Sequence, residues 1–128
     1  MRKIKSEIEG YMNGLTREEG KLTSHFAFPP EFIGFQGHFP GKKILPGVCQ
    51  IQCALSMLEK SVGKAVELKE IVAAKYFSPL FPDDDMTCAV VFAGDADGDC
   101  VVKVSITKST VKISELKLRV SFADKGGN

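Results

Sequence analysis

Few side chains in this sequence can exchange a proton near neutral pH. Its only histidines are His25 and His38. His38 stands in the stretch GHFPGKKILPGVCQIQ, residues 37–52, within a segment dense in Gly, Pro and Phe. Loops of that kind place functional groups on a rigid scaffold. Shortly after it, Pro46-Gly47 opens a helix, and proline suits a first helical turn, where its missing N–H would be unpaired anyway. The start of a helix offers free backbone N–H groups and the positive end of the helix dipole. A base next to such an oxyanion-stabilising end is what removal of a proton beside a carbonyl requires. Glycine at 47 would let a substrate approach the backbone closely. On these residues alone, a catalytic site and a structural turn running into a helix both stay open.

The surrounding elements follow from patterning. Ile4, Ile8, Tyr11, Met12 and Leu15 recur at helical spacing, so residues 2–15 are expected to be helical, within an N-terminal helical segment over 1–20. Asn13-Gly14 is a fair stop signal. Residues 21–28 alternate, with Leu22, Phe26 and Phe28 on one face, and read as a strand ended by Pro29-Pro30. His25 faces away from those residues and has no chemical neighbours in sequence, so it reads as structural. Residues 31–45 read as an irregular loop of fixed shape.

The helix over 46–62 carries Val48, Ile51, Leu55, Leu58 and Val62 along one seam, and Gly63 stops it. Cys49, Cys53, Ala54 and Met57 widen its apolar surface until little of it suits water. A helix apolar over so much of its circumference is wrapped by other structure. Residues 66–77, 86–93, 100–107 and 111–122 then read as four consecutive strands, which favour an antiparallel meander. The expected class is α+β: one domain over 1–128, a sheet wrapped around one long helix.

Composition narrows the function classes. The chain has 128 residues and a formal net charge of +1, with no global pull toward nucleic acid or anionic membrane. No apolar run reaches the roughly 18–20 residues a bilayer-spanning helix needs. The start, MRKIKSEIEG, lacks the apolar core of a secretory signal, so a cytoplasmic protein is expected. Cys49, Cys53, Cys88 and Cys100 form neither a CxxC pair nor a Cys/His zinc pattern and read as free, buried thiols; no metal is expected. GDADGD, residues 94–99, lacks the glutamate and spacing of a calcium loop and reads as a hairpin turn. Asp83-Asp84-Asp85 reads as a solvated turn after Pro82, with room for one structural member.

Two stretches together carry a resemblance. Gly37-His38-Phe39-Pro40, a short spacer and Leu45-Pro46-Gly47-Val48 resemble the signature of the 3-hydroxyacyl-acyl-carrier-protein dehydratases of the hotdog fold. Tyr76-Phe77-Ser78-Pro79-Leu80-Phe81-Pro82-Asp83-Asp84 is similar to the same family's aromatic-x-x-Pro-x-x-Pro-Gly-Asp segment, with Asp83 where glycine is usual. The resemblance covers roughly residues 21–122. Phe35-x-Gly37-His38-Phe39-Pro40-Gly41, with Gln50 after Pro-Gly-Val-Cys, looks closest to the dehydratase-like branch of aryl-polyene pathways. The resemblance implies hotdog dimers, homodimers or oligomers of dimers, with the active site at the interface. His38 would be the base that takes the α-proton of a 3-hydroxyacyl thioester. The backbone amide at Gly47 or Val48 would receive the thioester carbonyl, with Phe39 and Pro46 also at the substrate. The acyl group would arrive on the phosphopantetheine of an acyl carrier protein, so no bound cofactor is implied.

The family places an acidic residue on the central helix to protonate the leaving hydroxyl. By count from Pro-Gly-Val, that position is Gln52. An amide can orient a hydroxyl or a water but cannot deliver a proton, and loss of one general acid typically costs about 10²–10⁴ in rate. Glu59, seven residues on, lies nearly two turns or ~10 Å away along the axis and does not replace it. Cys49 and Cys53, with ordinary thiol pKa values, are poor acids for this step. Lys42-Lys43 precede the site, with Lys43 where proline is usual. They read either as solvated loop residues or as a steering pair for an acidic carrier. Three functions follow: a dehydratase or isomerase with His38 as base; a catalytically impaired hotdog protein that binds a carrier or partners an active subunit; and a thioesterase.

Overall fold

The computed structural model describes residues 2–36, 43–92 and 98–123. Helix α1 spans Arg2–Gly10, strand β1 Asn13–Glu18 and strand β2 Lys21–Phe26. A short 3-10 turn, Ile33–Phe35, precedes the long helix α2, Gly47–Val62. Strands β3 (Ala65–Tyr76), β4 (Met86–Phe92), β5 (Gly98–Lys108) and β6 (Val111–Ala123) complete the chain. All pairings are antiparallel, in one six-stranded sheet of order β1-β2-β4-β5-β6-β3. No helix among the described residues is long and apolar enough to cross a membrane.

Helix α2 is enclosed as its composition requires. From Cys49 to Glu59 every residue is buried except Gln52, which is partly so. The inner faces of the strands close over it with Leu22, Phe26, Val90, Val104, Leu118 and their neighbours. The helix begins at Gly47 with Pro46 as its cap in an extended conformation. It ends where Gly63 takes a left-handed φ of 76° and donates its N–H to the Glu59 carbonyl at 2.9 Å. The Glu59 carboxylate is also engaged: Oε2 accepts from the Val66 N–H at 2.9 Å and Oε1 pairs with Lys5 Nζ at 2.8 Å. Glu59 thus fastens α1, the end of α2 and the start of β3 together.

Two expectations need correction. The N-terminal segment is not helical through residue 15 or on to 20. Helix α1 ends at Gly10, and Asn13–Glu18 is a strand that turns back on β2 through Glu19 (φ 48°) and Gly20 (φ 77°). Successive positive φ values suit the tight turn of a two-stranded ribbon. Tyr11, Met12 and Leu15 pack partly on the core from this non-helical backbone, which accounts for their apolar character. Second, the strand expected over residues 66–77, found as β3, does not lead a four-strand meander. β4, β5 and β6 form one, but β3 crosses to the far edge and pairs only with β6. The segment between β3 and β4 holds Pro79 and Pro82, too long and too rigid for a hairpin. The turn expected at GDADGD falls mostly outside the described residues; its Gly98 and Asp99 already belong to β5.

That crossing segment is pinned at several points. Phe77 donates its N–H to the Ile113 carbonyl at 2.8 Å, Leu45 to Leu80 at 2.9 Å, and Asp83 to Phe28 at 2.8 Å. Asp83, in the position where the family pattern has glycine, holds a left-handed φ of 67°, which aspartate tolerates better than most residues. Asp84 is the structural member of the acidic run. Oδ2 accepts from the Phe81 N–H at 2.8 Å and Oδ1 from Lys108 Nζ at 2.8 Å. Partial burial pushes the Asp84 carboxyl up. The bond from Lys108, the Phe81 N–H and the ammonium charge outweigh that and hold it below the usual carboxylate range.

A depressed folded-state pKa contributes stability that is present above the unfolded value and is lost as pH falls through the folded one. Asp84→Asn should therefore destabilise the fold by ~1–2 kcal/mol at neutral pH. The deficit should shrink toward zero as both proteins are acidified below pH ~4. Urea unfolding at several pH values measures it; a deficit that grows on acidification would contradict the assignment.

Candidate active site

The start of α2 opens on a cleft. Pro46 offers no side-chain cap, and the carbonyl of Pro46 takes the N–H groups of Cys49 (3.0 Å) and Gln50 (3.2 Å). The N–H groups of Gly47 and Val48 lie before the first intrahelical bond and keep no helical partner. No acidic side chain occupies this first turn to compete for them. The cleft holds about 600 Å³ and is lined by Pro46, Gly47, Gln50, Tyr76, Phe77 and Pro79, among others. Its walls are mainly apolar, as is usual for clefts that hold small ligands.

Tyr76 forms one wall, directly over Gly47. A Cβ built on Gly47 would stand 2.5 Å from the Tyr76 hydroxyl oxygen and 2.8 Å from Cζ. Glycine at 47 is needed for this contact. Partial burial raises the Tyr76 phenol above its ordinary value. Opposite Tyr76 on β6 lies Ser114, fully buried, which donates its hydroxyl to Gln50 Oε1 at 2.7 Å. Gln50 is itself only 3 % exposed. Tyr76, Ser114 and Gln50 were not singled out as site residues by the sequence reading. The signal for Gln50 was its place three residues after Gly47, on the same helix face.

The expected site residues divide. Pro46 and Gly47 line the cleft. Val48 is 56 % exposed, and Gln52 lies four residues on along the same face. Gln52 and Gln50 point to nearly opposite sides of the helix, since two residues advance it by about 200°. Gln52 Nε2 donates to Ser56 Oγ at 2.9 Å, so the amide is held along the helix. His38 and Phe39 lie outside the described residues, as does Lys42. Lys43 is exposed and donates to the Pro30 carbonyl at 3.1 Å. His25 meets Thr87 Oγ1 through Nδ1 at 3.1 Å on the outer sheet face, remote in the fold from α2.

The thiols cannot supply the missing acid. Burial pushes Cys49 up to about 11 and Cys88 to about 12. It raises Cys53 well above its ordinary value too, reinforced by neighbouring thiols. Such groups stay neutral and hold their protons. A larger hollow of about 740 Å³ lies on the outer sheet face among Lys21, Lys103 and Lys117. It receives no residue of α2 and none of the chemistry described above.

A family model described as ApeI-like, ApeI dehydratase, matches residues 15–117. The chain belongs to the ApeI-like dehydratase family. This ApeI-like chain is 39% identical over 93 residues to the 3-hydroxyacyl-[acyl-carrier-protein] dehydratase FabZ of Proteus mirabilis, covering 63% of this chain and 61% of that protein. It is 29% identical over 101 residues to FabZ of Geobacter metallireducens, covering 71% and 67%. The match thus spans about three fifths to two thirds of these relatives' length. Among solved structures, the dehydratase heterocomplex ApeI:P of Xenorhabdus doucetiae aligns with a TM-score of 0.74 at 17% identity, over 86% of this chain and 96% of that one. The PaaI protein of E. coli aligns at 0.68 and 13% identity, over 91% and 86%. With the sheet wrapped on α2, these likenesses establish the hotdog fold that the sequence motifs implied.

The tight meeting of Gly47 and Tyr76 has a measurable consequence. Gly47→Ala should cost ~1–3 kcal/mol through overpacking, and most of that cost should vanish in a Tyr76→Ala background. A double-mutant cycle by chemical denaturation reads the coupling. Additive effects would contradict the contact.

Proposed function

We propose that the chain acts on 3-hydroxyacyl thioesters as an acyl-carrier-protein dehydratase. Family membership supports the reaction class. The observation that carries the reading to this chain is the first turn of α2, which has no side-chain cap among the described residues and at Gly47 lines an apolar cleft. A thioester carbonyl seated there would have its oxygen at the positive end of the helix. Negative charge growing on that oxygen, as the α-proton leaves, is stabilised at that point. His38 is the base of this proposal, on the strength of its place in the GHFP motif. Proton removal puts the C–H electron pair toward the carbonyl as an enolate. Its collapse expels the 3-hydroxyl, which leaves as water on taking back the proton that His38 removed, giving the 2-enoyl thioester. Each step uses groups of the chain and its substrate, so no bound cofactor is required. The carrier's phosphopantetheine brings the acyl group.

Gln52 favours a second reading. One of its N–H groups is engaged by Ser56 and it has no acidic proton. A chain so built could bind an acyl carrier as the weak partner of an active subunit. The ApeI:P neighbour is described as a dehydratase heterocomplex. An assembly of two chains is part of either reading. Residues 69–77 along β3 are exposed on both faces, at the sheet's edge, with Ile71, Val72, Tyr76 and Phe77 among them. An edge of this kind is a template for pairing with another strand. Pairing there would bring a second chain to the cleft, next to Tyr76.

Hydration of a 2-enoyl carrier thioester and dehydration of its 3-hydroxy form, followed by mass spectrometry, test the proposal. Wild type should turn over and His38→Ala should lose ~10²-fold or more. Turnover unchanged in His38→Ala would sink the mechanism. Gln52→Glu should leave an already competent enzyme near its starting rate, and should raise the rate at least tenfold if the weak-partner reading holds. Release of free thiol instead of water would point to hydrolysis. Light scattering should give the mass of a dimer, and a monomer that is fully active would contradict a shared site.

A further inference from the structure

The buried carboxamide of Gln50 is only half satisfied. Its Oε1 accepts the Ser114 hydroxyl at 2.7 Å, deep in the structure. Among the described residues its Nε2 has no acceptor, and the side chain lines the cleft beside Gly47. No fully buried polar side-chain atom among the described residues lacks a partner, so Nε2 is open to the cleft, where an acceptor on a ligand would satisfy it. The Ser114 bond also orients the group. With Oε1 turned to β6, the two N–H bonds of Nε2 are directed away from it. Helical side chains lean toward the N-terminus, and residues three apart share a face. Gln50 therefore leans toward Gly47, whose N–H keeps no helical partner.

We propose that Gln50 Nε2 is a second donor to the thioester carbonyl oxygen, completing with the backbone N–H at Gly47 or Val48 a two-donor oxyanion site. This rests on the dehydratase reading for the identity of the ligand. A carbonyl oxygen has two lone pairs, and the backbone amide fills one. The second donor stabilises the enolate oxygen formed when the α-proton leaves, and returns to a neutral carbonyl when the 3-hydroxyl departs as water. Ser114 acts through Gln50 and is a positioning residue. The cleft accordingly selects acyl groups that bring an acceptor oxygen to the start of α2, and a saturated alkyl chain alone would leave Nε2 unpaired.

The test uses the full chain and a 2-butenoyl pantetheine thioester, with turnover of the 3-hydroxy form measured in parallel. Hydrogen bonds polarise the enoyl carbonyl and lower its stretching frequency, which difference Raman or infrared spectra read in the bound state. Wild type should show a lowered frequency. Gln50→Met, of similar length without a donor, should lose a large part of that shift, and kcat should fall ~10²-fold. Gln50→Glu keeps the acceptor for Ser114 but removes both N–H donors, and should lose the shift as well. It serves if Gln50→Met does not fold. Ser114→Ala should give an intermediate shift, and KM should change less than kcat. An unchanged stretch in Gln50→Met or Gln50→Glu overturns the role of Gln50, even where wild type turns over. No turnover by wild type, with the shift still dependent on Gln50, defeats the dehydratase reading and leaves the donor standing. Absence of any bound thioester in wild type overturns both.

Discussion

Helix α2 is fastened to the strands by a buried polar side chain near each end. Near its start Gln50 takes the Ser114 hydroxyl of β6, and near its finish Glu59 takes the Val66 N–H of β3. Between them the contact is almost wholly apolar. Apolar packing is strong but non-directional, and a helix greased on nearly all sides can slide or turn within a sheet. Two directional bonds, nine residues apart in sequence, fix its rotation and its height. The height matters, because it sets where the free N–H groups of the first turn stand. The rotation decides which helical face meets the cleft and which carries Val48 and Gln52 outward.

The crossing of β3 follows from the same requirement. Had residues 65–76 paired with β4, the start of α2 would lack the Tyr76 wall. By leaving Gly63 and pairing at the far edge with β6, β3 brings Tyr76 opposite Ser114 and over Gly47. The return segment, held by Asp84 and by bonds from Phe77 and Leu45, then closes the cleft from the side. Site and topology are therefore one construction: the serine that orients Gln50 and the tyrosine that walls the cleft are cross-strand neighbours.

Much of this was legible beforehand where the chemistry is local. Pro46-Gly47 and Gly63 bound α2 because both act through their own backbone, and β2 followed from alternation. Strand β1 was not legible. NGLTRE is polar and mostly exposed, with no periodic apolar face, and Leu15 fell in with a helical spacing begun by Ile4 and Ile8. The pairing of β3 is non-local, and no pattern within a strand names its neighbour. The two prolines after Tyr76 were the available sign. The family motif drew attention to Gln52, whose departure from an acid is visible in one letter. Gln50 escaped because its meaning depends on Ser114, 64 positions away in sequence. The role of His38 rests on its motif, since that residue lies outside the described part of the fold.

The central claim is that the first turn of α2 receives the thioester oxygen. Amide chemical shifts test it most directly. On titration of ¹⁵N-labelled protein with a 2-enoyl pantetheine thioester, the Gly47 or Val48 amide proton should move strongly downfield, with saturation, as it gains a carbonyl acceptor. Changes confined to the outer sheet face around Lys103 and Lys117, with Gly47 and Val48 unmoved, would contradict the account.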